Sequence, residues 1–486
     1  MANYLRPDVY VERIDTGEKP IQSTSTSVGA LIGVASRGRV GVATLVTSWT
    51  DYVNKFAKGL DTPFLRNSDL AHSVFGFFLN GGSVCYVTRV PVTSMAKAQV
   101  TATKHEEPGT TLIITACDEG DWANNNLKVT ITGVDGGEDY FDVKVTFKDT
   151  VVEVFRNLSN AEEDERFYAE VINNESEFIR IAKDQKLFAV EEEATLTGGA
   201  YNIAGVKDTD FTGDQGLLSL EPIEDVNLVA IPGKTSDNII NALNSFVDKR
   251  TDCFYILDAP MDDTVDADSL KTFRKKARGN GAIYFPWGKI KDPLSVHNIV
   301  RNCPPSGHVM GVYANTDNTR GVYKEPAGLD ARVKGFIGLT AEVSPTDQEI
   351  LNPLGVNCLL NKHNQGVVIW GARNVANDSR KPYVSDIRYD IMINKTLYNG
   401  TQWAVFEPID DVLLSKFRTS LVSFLDQQWR DGALKGASSD EAYYVKCDNE
   451  LNTEKTISQG LLISEIGYAK KKPAEFVVIR IIQKQN

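Results

Sequence analysis

The motif Ser306-Gly307-His308 places a hydroxyl and an imidazole close together, and nucleophilic catalysis uses this pair of groups. No G-x-S-x-G elbow surrounds the serine, and residues so near in sequence seldom face each other for proton transfer. The stretch 304–321 therefore favours a rigid turn that leads into a short helix. Three polar side chains of this stretch are candidates for a hydrogen-bond cluster at an interface: Asp317, Asn318 and Arg320.

A phosphate-binding loop needs glycines that bring backbone N–H groups to the anion and a lysine that reaches it. The nearest match runs from Gly33 to Gly38, but Arg39 and Val40 stand where a lysine and a serine or threonine are required. The dinucleotide pattern G-x-G-x-x-G follows none of the apolar segments. We therefore predict no nucleotide cofactor and assign these glycines to a turn with special backbone dihedrals.

Metal ligation has little support in the sequence. The histidines form no H-E-x-x-H pair and have no zinc-like spacing with the cysteines, which we interpret as small buried hydrophobes. Asp258 follows an apolar segment with Asp262 and Asp263 nearby, so a divalent-cation site competes there with a plain acidic loop. Nothing in these patterns demands an enzyme. The five histidines are His72, His105, His297, His308 and His363.

Composition narrows the class of protein further. The chain has 486 residues, of which 42% are hydrophobic, and a formal net charge of -13. This excludes disordered and fibrous proteins, and the negative balance argues against a direct nucleic-acid partner. No segment approaches the roughly 20 apolar residues of a membrane span, and charges occupy the N-terminus where a signal peptide has its apolar stretch. We predict a cytoplasmic origin and no membrane insertion.

Residues 227–287 predict an α/β core, because short apolar segments alternate there with amphipathic ones in the order β-α-β-α-β. Apolar strands bounded by glycine and proline are typical of a sheet covered on both faces, and helices over 238–247 and 270–278 make crossovers between parallel neighbours. Gly279 is placed as the C-cap of the second helix. Three further segments are predicted to extend this mixed or mostly parallel sheet: residues 29–34, 84–90 and 366–372.

Between residues 96 and 204 the pattern changes, since apolar and polar residues alternate over 127–132 and 140–147. Alternation indicates strands with one face in solvent. We therefore predict a mostly antiparallel, β-rich domain inserted into the α/β core.

One strong helix is predicted from Asp411 to Arg430, with apolar residues at three- and four-residue spacing. Asp410 or Asp411 is available as its N-cap, and Gly432 supplies a stop. Its polar face is either simply solvated or a surface for a charged partner. The residues of that face are Lys416, Arg418, Thr419, Asp426 and Arg430.

Both ends of the chain carry strand patterns, although chain ends are usually polar and frayed. Residues 7–14 alternate with a period of two, and residues 473–483 are dense in β-branched side chains. Each strand pairs either within its own domain or with a neighbouring copy by β-augmentation. At about 1 kcal/mol per hydrogen bond, roughly six bonds would hold two copies together firmly.

Several long motifs occur in one order along the chain. They are YLRPDVYVERI, STSTSVGALIGVASRG, FFLNGGSVCYVTRV, CFYILDAP, AIYFPW, PPSGHVMGVYANTDNTRGVYKEPAG, TQWAVFEPID, YVKCD and KKPAEFVVIRI. With these motifs the chain resembles the tail sheath proteins of contractile-tailed bacteriophages and related contractile injection systems. Asp8 replaces the family's usual glycine, and residues 96–204 match no signature of the family.

The resemblance implies a structural protein that is not an enzyme and needs no cofactor. Six copies form a ring around a tail tube, the rings stack helically, and contraction from a metastable extended state drives the tube through the target envelope. Implied partners are further copies of the chain, the tail tube protein, and baseplate and tail terminator proteins, in a virion assembled in the host bacterial cytoplasm. A headless bacteriocin or extracellular injection system is the alternative, and an α/β enzyme acting on a small ligand is a remote one.

In related sheaths the terminal arms join strands of neighbouring subunits, and a helix of the C-terminal domain faces the tube. The inter-subunit arm strands carried over to this chain are Val9, Tyr10, Val11, Glu12, Arg13, Ile14, Glu475, Phe476, Val477, Val478, Ile479, Arg480, Ile481 and Ile482. The hinge residues are Gly17, Pro20 and Ser23, and the candidate tube contacts are Lys416, Arg418 and Arg430.

The predicted domains follow from these assignments. They are an N-terminal linking arm (1–22), the α/β sheath core (23–95 and 205–380), the inserted outer domain (96–204), a tube-proximal C-terminal part (381–470) and a C-terminal linking strand (471–486).

Overall fold

The computed structural model describes residues 20–104, 110–134, 139–295 and 299–475. The predicted arm strands lie outside these residues except for Glu475, and so does Gly17 of the predicted hinge. The described residues divide into two compact units. The larger unit holds residues 26–319 and 325–384, and the smaller holds 20–25, 320–324 and 385–475.

A single mixed sheet forms the centre of the larger unit. Its eight described strands are β1 (Gly29–Gly33), β2 (Thr44–Val46), β3 (Cys85–Arg89), β12 (Leu228–Ala230), β13 (Phe254–Asp258), β14 (Gly281–Phe285), β18 (Val356–Lys362) and β19 (Gly366–Ile369). They lie in the order β19-β18-β14-β13-β12-β1-β3-β2. The inner neighbours pair in parallel, whereas β2 and β19 are antiparallel edge strands.

Burial explains why the inner strands are apolar along their whole length. Every residue of β1, β13 and β14 is buried, because helices cover both faces of a parallel sheet. The helices of this unit are α1 (Trp49–Phe56), α2 (Leu70–Leu79), α3 (Tyr168–Glu175), α4 (Asp208–Thr212), α5 (Asp237–Lys249), α6 (Ala267–Arg274), α7 (Ser306–Arg320) and α8 (Pro345–Leu354). The predicted β-α-β-α-β order and the three additional strands are confirmed.

Two local predictions in this unit are wrong. Helix α6 ends at Arg274 because its last residues tighten into three-residue turns, in which the Ala277 N–H donates to the Arg274 carbonyl. Gly279 is therefore a turn residue with φ of +77° before β14 and not a helix cap. The segment after Pro305 is also no short helix, since α7 has 15 residues and most of it is buried.

The insertion has its own apolar core between two antiparallel sheets. Its strands are β4 (Met95–Thr103), β5 (Thr111–Glu119), β6 (Leu127–Gly133), β7 (Tyr140–Phe147), β8 (Thr150–Ser159), β9 (Ile179–Ile181), β10 (Val190–Thr195) and β11 (Ala200–Tyr201). The sheets have the orders β10-β6-β7-β8 and β11-β4-β5-β9. Alternating burial along β5 shows the single wet face that the sequence pattern predicted. A smaller sheet of the larger unit joins β15 (Gly288–Lys291), β16 (Val300–Cys303) and β17 (Gly338–Leu339).

The smaller unit is built on two long helices. Its elements are α9 (Val384–Thr401), α10 (Asp411–Arg430), α11 (Ser439–Ala442), β20 (Tyr443–Lys446), α12 (Glu454–Ser458) and β21 (Glu465–Tyr468). Leu421, Phe424 and Leu425 of α10 are buried with Tyr389 and Ile393 of α9 in one apolar cluster. The predicted helix is confirmed, with its N-cap at Asp410, whose carboxylate accepts from the Leu413 N–H at 2.7 Å.

One buried arginine joins the insertion to the core. Arg89, at the end of β3, is 0% exposed, and its guanidinium lies 3.9 Å from the centre of the Tyr201 ring. It donates to the backbone carbonyls of Ala35, Ser36 and Gly38 at 2.7 to 3.3 Å, and to that of Glu119 at 2.9 Å. A buried charge is tolerated when its donors are satisfied in this way. Arg89 thus fixes two strands of the insertion to the core sheet.

We expect Arg89→Met to destabilise the chain by about 3 kcal/mol or more, because it leaves four carbonyls in the interior without their charged donor. Urea unfolding of the purified chain measures this loss. Arg39→Met is the matched control, since Arg39 is exposed and its replacement should change stability by less than about 0.5 kcal/mol. Equal stability of the two variants would contradict the role given to Arg89.

Candidate assembly interface

The Ser306 hydroxyl is already used in packing. Asp258 ends β13 inside the core, where its carboxylate accepts from the Ser306 N–H and hydroxyl, each at 2.7 Å, and from the Gly233 N–H at 2.9 Å. Burial raises the pKa of Asp258 to about 7, although these hydrogen bonds act in the opposite direction. The carboxylate therefore anchors the first turn of α7. It does not face Asp262 or Asp263 across a cation site, and the described residues hold no cluster of potential metal ligands.

His308 cannot serve Ser306 as a base. Its ring packs against Phe336, with centroids 4.3 Å apart, and against Gly76 of α2, where a β-carbon would lie 2.3 Å from Nδ1. Burial lowers its pKa to about 3, so it stays neutral. His72 is a second buried histidine with a pKa lowered to about 4 by burial. His363 is exposed, and His105 and His297 lie outside the described residues.

The loop between Gly33 and Gly38 binds a cation and not a phosphate anion. Its carbonyl groups, and not its N–H groups, converge on a ligand, and that ligand is the Arg89 guanidinium. Gly38 has φ of +103°, a backbone conformation that favours glycine. The predicted use of these glycines in a special turn agrees with this geometry.

The smaller unit contains a sheet with only two described strands, β20 and β21. Val445 of β20 is buried in the apolar cluster, and the Tyr443 hydroxyl lies 3.4 Å from Asp426 of α10. The Tyr468 hydroxyl of β21 donates to Asp390 of α9 at 2.7 Å, and burial raises its pKa, so it remains a neutral donor. The two long helices thus hold one face of a sheet that is too narrow to be stable alone.

The other face of this pair is open. Tyr444 is 53% exposed, and its hydroxyl donates to Glu465 of β21 at 2.7 Å. Gly467 lies directly opposite, where a β-carbon would come within 2.1 Å of the tyrosine ring. The missing side chain lets the ring lie flat across both strands.

The hydrogen-bond register shows which backbone groups point outward. The Ala469 N–H donates to the Ala442 carbonyl at 2.8 Å, which sets the alternation of the antiparallel pair. The pairs 444/467 and 446/465 therefore bond to each other. The N–H and C=O groups that face away from the partner strand belong to Tyr443, Val445, Ile466 and Tyr468. The Tyr443 N–H is already used, because it donates to the Ser439 carbonyl of α11. No other described strand pairs with either outer edge.

The chain before the larger unit is tied to α9. Ile21 packs into the cluster beside Gly400, where a β-carbon would lie 2.5 Å from its side chain, and the Thr24 N–H donates to the Thr396 hydroxyl at 3.1 Å. Pro20 and Ser23 of the predicted hinge are exposed, and Ser23 lies between the two tied residues. The first described residues of the chain thus lie along the C-terminal part of α9.

The predicted tube contacts are all exposed on α10 but do not share one side of it. At 100° per residue, Lys416 and Arg430 lie about 40° apart around the axis, whereas Arg418 is about 160° from Lys416. Arg430 also pairs with Asp426 at 2.7 Å.

Sequence reasoning missed β20 and β21 as a functional surface. Both strands are four residues long, and the sequence pattern of so short a strand is weak. The tyrosines of YVKCD and the glycine of EIGY are the signals that could have drawn attention to them.

Two family models match this chain in adjacent regions. The phage tail sheath protein central domain matches residues 211–375, and the phage tail sheath C-terminal domain matches residues 377–484. Together they span more than half of the chain and define a tail sheath protein. The chain belongs to the phage tail sheath family, as the sequence motifs indicated, and is a structural sheath subunit of a contractile tail or injection system.

Curated relatives agree with this family. A protein of Pseudomonas aeruginosa (strain UCBPP-PA14), described as a prophage major tail sheath protein, is 22% identical over 293 residues, which cover 59% of this chain and 71% of the relative. The tail sheath protein of Vibrio phage KVP40 is 20% identical over 333 residues, 60% of this chain and 48% of that protein. The match thus spans about half of the KVP40 protein.

Solved structures share the fold over nearly the whole chain. The sheath of the extracellular contractile injection system PVC, in its contracted state, superposes with a TM-score of 0.61 at 19% identity and covers 100% of this chain and 99% of its own. The contracted helical sheath of the anti-feeding prophage gives 0.59 at 20% identity, covering 99% and 100%. A sheath tail protein of Listeria innocua gives 0.61 at 16% identity, covering 89% and 91%. No described helix is both long and apolar enough to span a membrane.

The buried histidines predict acid sensitivity of the larger unit. Unfolded His72 and His308 take up protons near pH 6.5, but the folded side chains do so only near pH 4 and pH 3, so their contribution to stability falls as the pH drops below 6.5. Asp258, with its raised pKa, acts oppositely between about pH 4 and 7. Within this group of three, the two histidines outweigh Asp258 between about pH 4.5 and 6.5, so their combined contribution to stability falls towards acid pH, which urea unfolding between pH 4.5 and 7.5 measures.

His308→Leu should reduce the pH dependence of stability by about one proton between pH 4.5 and 6.5. His363→Leu is the control, because His363 is exposed and should leave the slope unchanged. A His308→Leu curve parallel to that of the unaltered chain would show that His308 is not kept neutral by the fold.

Proposed function

We propose that this sheath subunit polymerises as stacked hexameric rings around a tail tube and contracts from a metastable extended state, which drives the tube through the target envelope. The observation that carries the proposal is the two-stranded sheet of the smaller unit, whose outer edges have no partner among the described strands. A chain that must link to many copies of itself needs such edges. The strand patterns of residues 9–14 and 475–482 supply strands of the right kind.

The arm of one copy adds to an outer edge of β20 or β21 in a neighbour. The β21 edge presents two residues with outward N–H and C=O groups, so a strand added there gains about four hydrogen bonds, or roughly 4 kcal/mol. The β20 edge offers about three, because the Tyr443 N–H already donates to the Ser439 carbonyl. Two edges per copy accommodate one N-terminal and one C-terminal strand. The result is a four-stranded sheet built from three copies, which satisfies the width that a stable sheet needs.

Contraction needs no cofactor in this proposal. The same chain packs in two lattices, and a difference of about 5 kcal/mol per copy is enough to move a two-state balance from 1:99 to 99:1. The arms stay paired while the bodies rotate, so they act as tethers. Because Ile21 and Thr24 are tied to α9, we place the pivot between Gly17 and Pro20, ahead of Ser23.

The proposed partners are further copies of the chain, a tail tube protein, and baseplate and tail terminator proteins, with no nucleic-acid contact and no membrane insertion. The particle is a virion assembled in the cytoplasm of a host bacterium. A headless bacteriocin or extracellular injection system is the second candidate, and the similarity to the PVC sheath favours it, because PVC is an extracellular contractile injection system. An enzymatic role is not proposed, since Ser306, His308 and Asp258 are all occupied in packing.

Deletion of residues 1–14 should give a folded chain that no longer assembles, because one strand of every shared sheet is lost. Negative-stain microscopy scores assembly, and thermal melting checks the fold. Deletion of residues 1–6, which precede the predicted strand, is the control and should still assemble. Normal sheaths formed by the chain that lacks residues 1–14 would contradict the proposal that the arms link neighbouring copies.

Lys416→Glu should weaken tube-templated assembly at least several-fold more than Arg418→Glu, because Lys416 shares its side of α10 with Arg430, so two cations can meet one tube surface there, whereas Arg418 lies on the opposite flank. Co-sedimentation with a purified tube protein measures the difference. Equal effects of the two charge reversals would count against a tube-facing α10.

A further inference from the structure

A fully exposed phenylalanine stands at the turn between α9 and α10. Phe406 has a relative exposure of 102%, so no described residue shields its ring. Three apolar residues of the same helix–turn–helix segment are also more than half exposed: Tyr398 at 68%, Val405 at 57% and Val412 at 58%. We call these four residues the apolar knob. Large apolar side chains that a fold leaves exposed at one turn are candidates for contact with another protein.

The backbone at the knob is strained. Phe406 has φ of +67°, in the left-handed region that bulky side chains rarely adopt. Turn hydrogen bonds on either side hold this conformation, from the Val405 N–H to the Gln402 carbonyl at 3.2 Å and from the Glu407 N–H to the Ala404 carbonyl at 3.3 Å. Glycine would fit the position better. A residue that both strains the turn and exposes an aromatic ring gives nothing to the isolated chain, which points to a use in an assembly.

The position of the knob identifies its occupant. Ile21 packs beside Gly400, six residues before Phe406, so the first described residues of the chain lie at the end of α9 that leads into the knob. From Ile14 to Ile21 the chain spans at most about 25 Å even when fully extended. A copy that receives the strand 9–14 must therefore lie within about that distance of Ile21, on the end of α9 that carries the knob. A second copy of this chain is thus brought to the knob by the arm itself.

We propose that Phe406 is the apolar anchor of the contact between neighbouring copies, inserted into the body of the copy that receives the arm. This inference rests on the proposed exchange of arms. Exposed aromatic side chains that become buried at the centre of an interface carry a large share of the binding energy. In this contact the arm contributes backbone hydrogen bonds to the neighbouring copy. The apolar knob contributes buried apolar surface near the point where the arm begins.

The test compares three replacements of Phe406 in the full chain, without tube protein, by sedimentation across a concentration series. Phe406→Ala and Phe406→Gly should raise the critical concentration for polymerisation at least tenfold, and Phe406→Leu should raise it much less. Thermal melting of the unassembled chain separates assembly from folding, since Phe406→Gly relieves the strained φ and should not lower the melting temperature. Unchanged polymerisation of the Ala variant, or a lower melting temperature of the Gly variant, overturns the proposal.

Photo-crosslinking identifies the occupant directly. With p-benzoylphenylalanine in place of Phe406, assembled particles should yield dimers and higher multiples of this chain. Crosslinks to the tube protein instead, or no crosslinks, overturn the assignment of a second copy. The deletion of residues 1–14 distinguishes the proposal about Phe406 from the proposal that copies exchange arms. If the deletion abolishes assembly and Phe406→Ala does not, the role of Phe406 is refuted and arm exchange is retained. If the deletion assembles normally, arm exchange itself fails.

Discussion

The outward backbone groups of β20 and β21, which no other described strand pairs, are the constraint on which the rest of the structure depends. A backbone N–H or C=O group that is removed from water needs a partner, and a two-stranded sheet cannot supply one on its outer sides. Natural sheets usually protect such edges with charge, proline or a covering element. Here the face towards α9 and α10 is secured by Tyr468, Tyr443 and Val445, while the edges stay available for added strands.

The larger unit differs, because two of its buried charged groups are hydrogen-bonded inside it. Arg89 satisfies carbonyls of the core and the insertion, and Asp258 satisfies the first turn of α7. Ser306 and Asp258 are candidates for catalysis in the sequence alone, but in the structure they bond to each other. A rigid body that transmits force benefits from this, since buried networks with every member satisfied fix one conformation. In the proposed assembly the smaller unit carries the surfaces that join one copy to the next.

Much of the fold follows from sequence periodicity. The inner strands could be predicted because burial on both faces forces continuous apolar runs, and α10 because its buried stripe repeats every three to four residues. The end of α6 could not be predicted, since three-residue turns at a helix end leave no pattern. Neither could the role of Arg89, because its carbonyl partners come from loops that are distant in sequence. Exposure of Phe406 is likewise invisible in a sequence, where the residue resembles any core phenylalanine.

The most direct measurement is amide hydrogen exchange of β20 and β21 in the assembled and unassembled chain. We predict that the outward N–H groups of Val445, Ile466 and Tyr468 exchange rapidly in the unassembled chain and become strongly protected in the polymer. The N–H groups of Tyr444 and Gly467, which bond across the pair, serve as the internal reference. Outward amides that exchange equally fast in both states would contradict the claim that the arms of neighbouring copies complete this sheet.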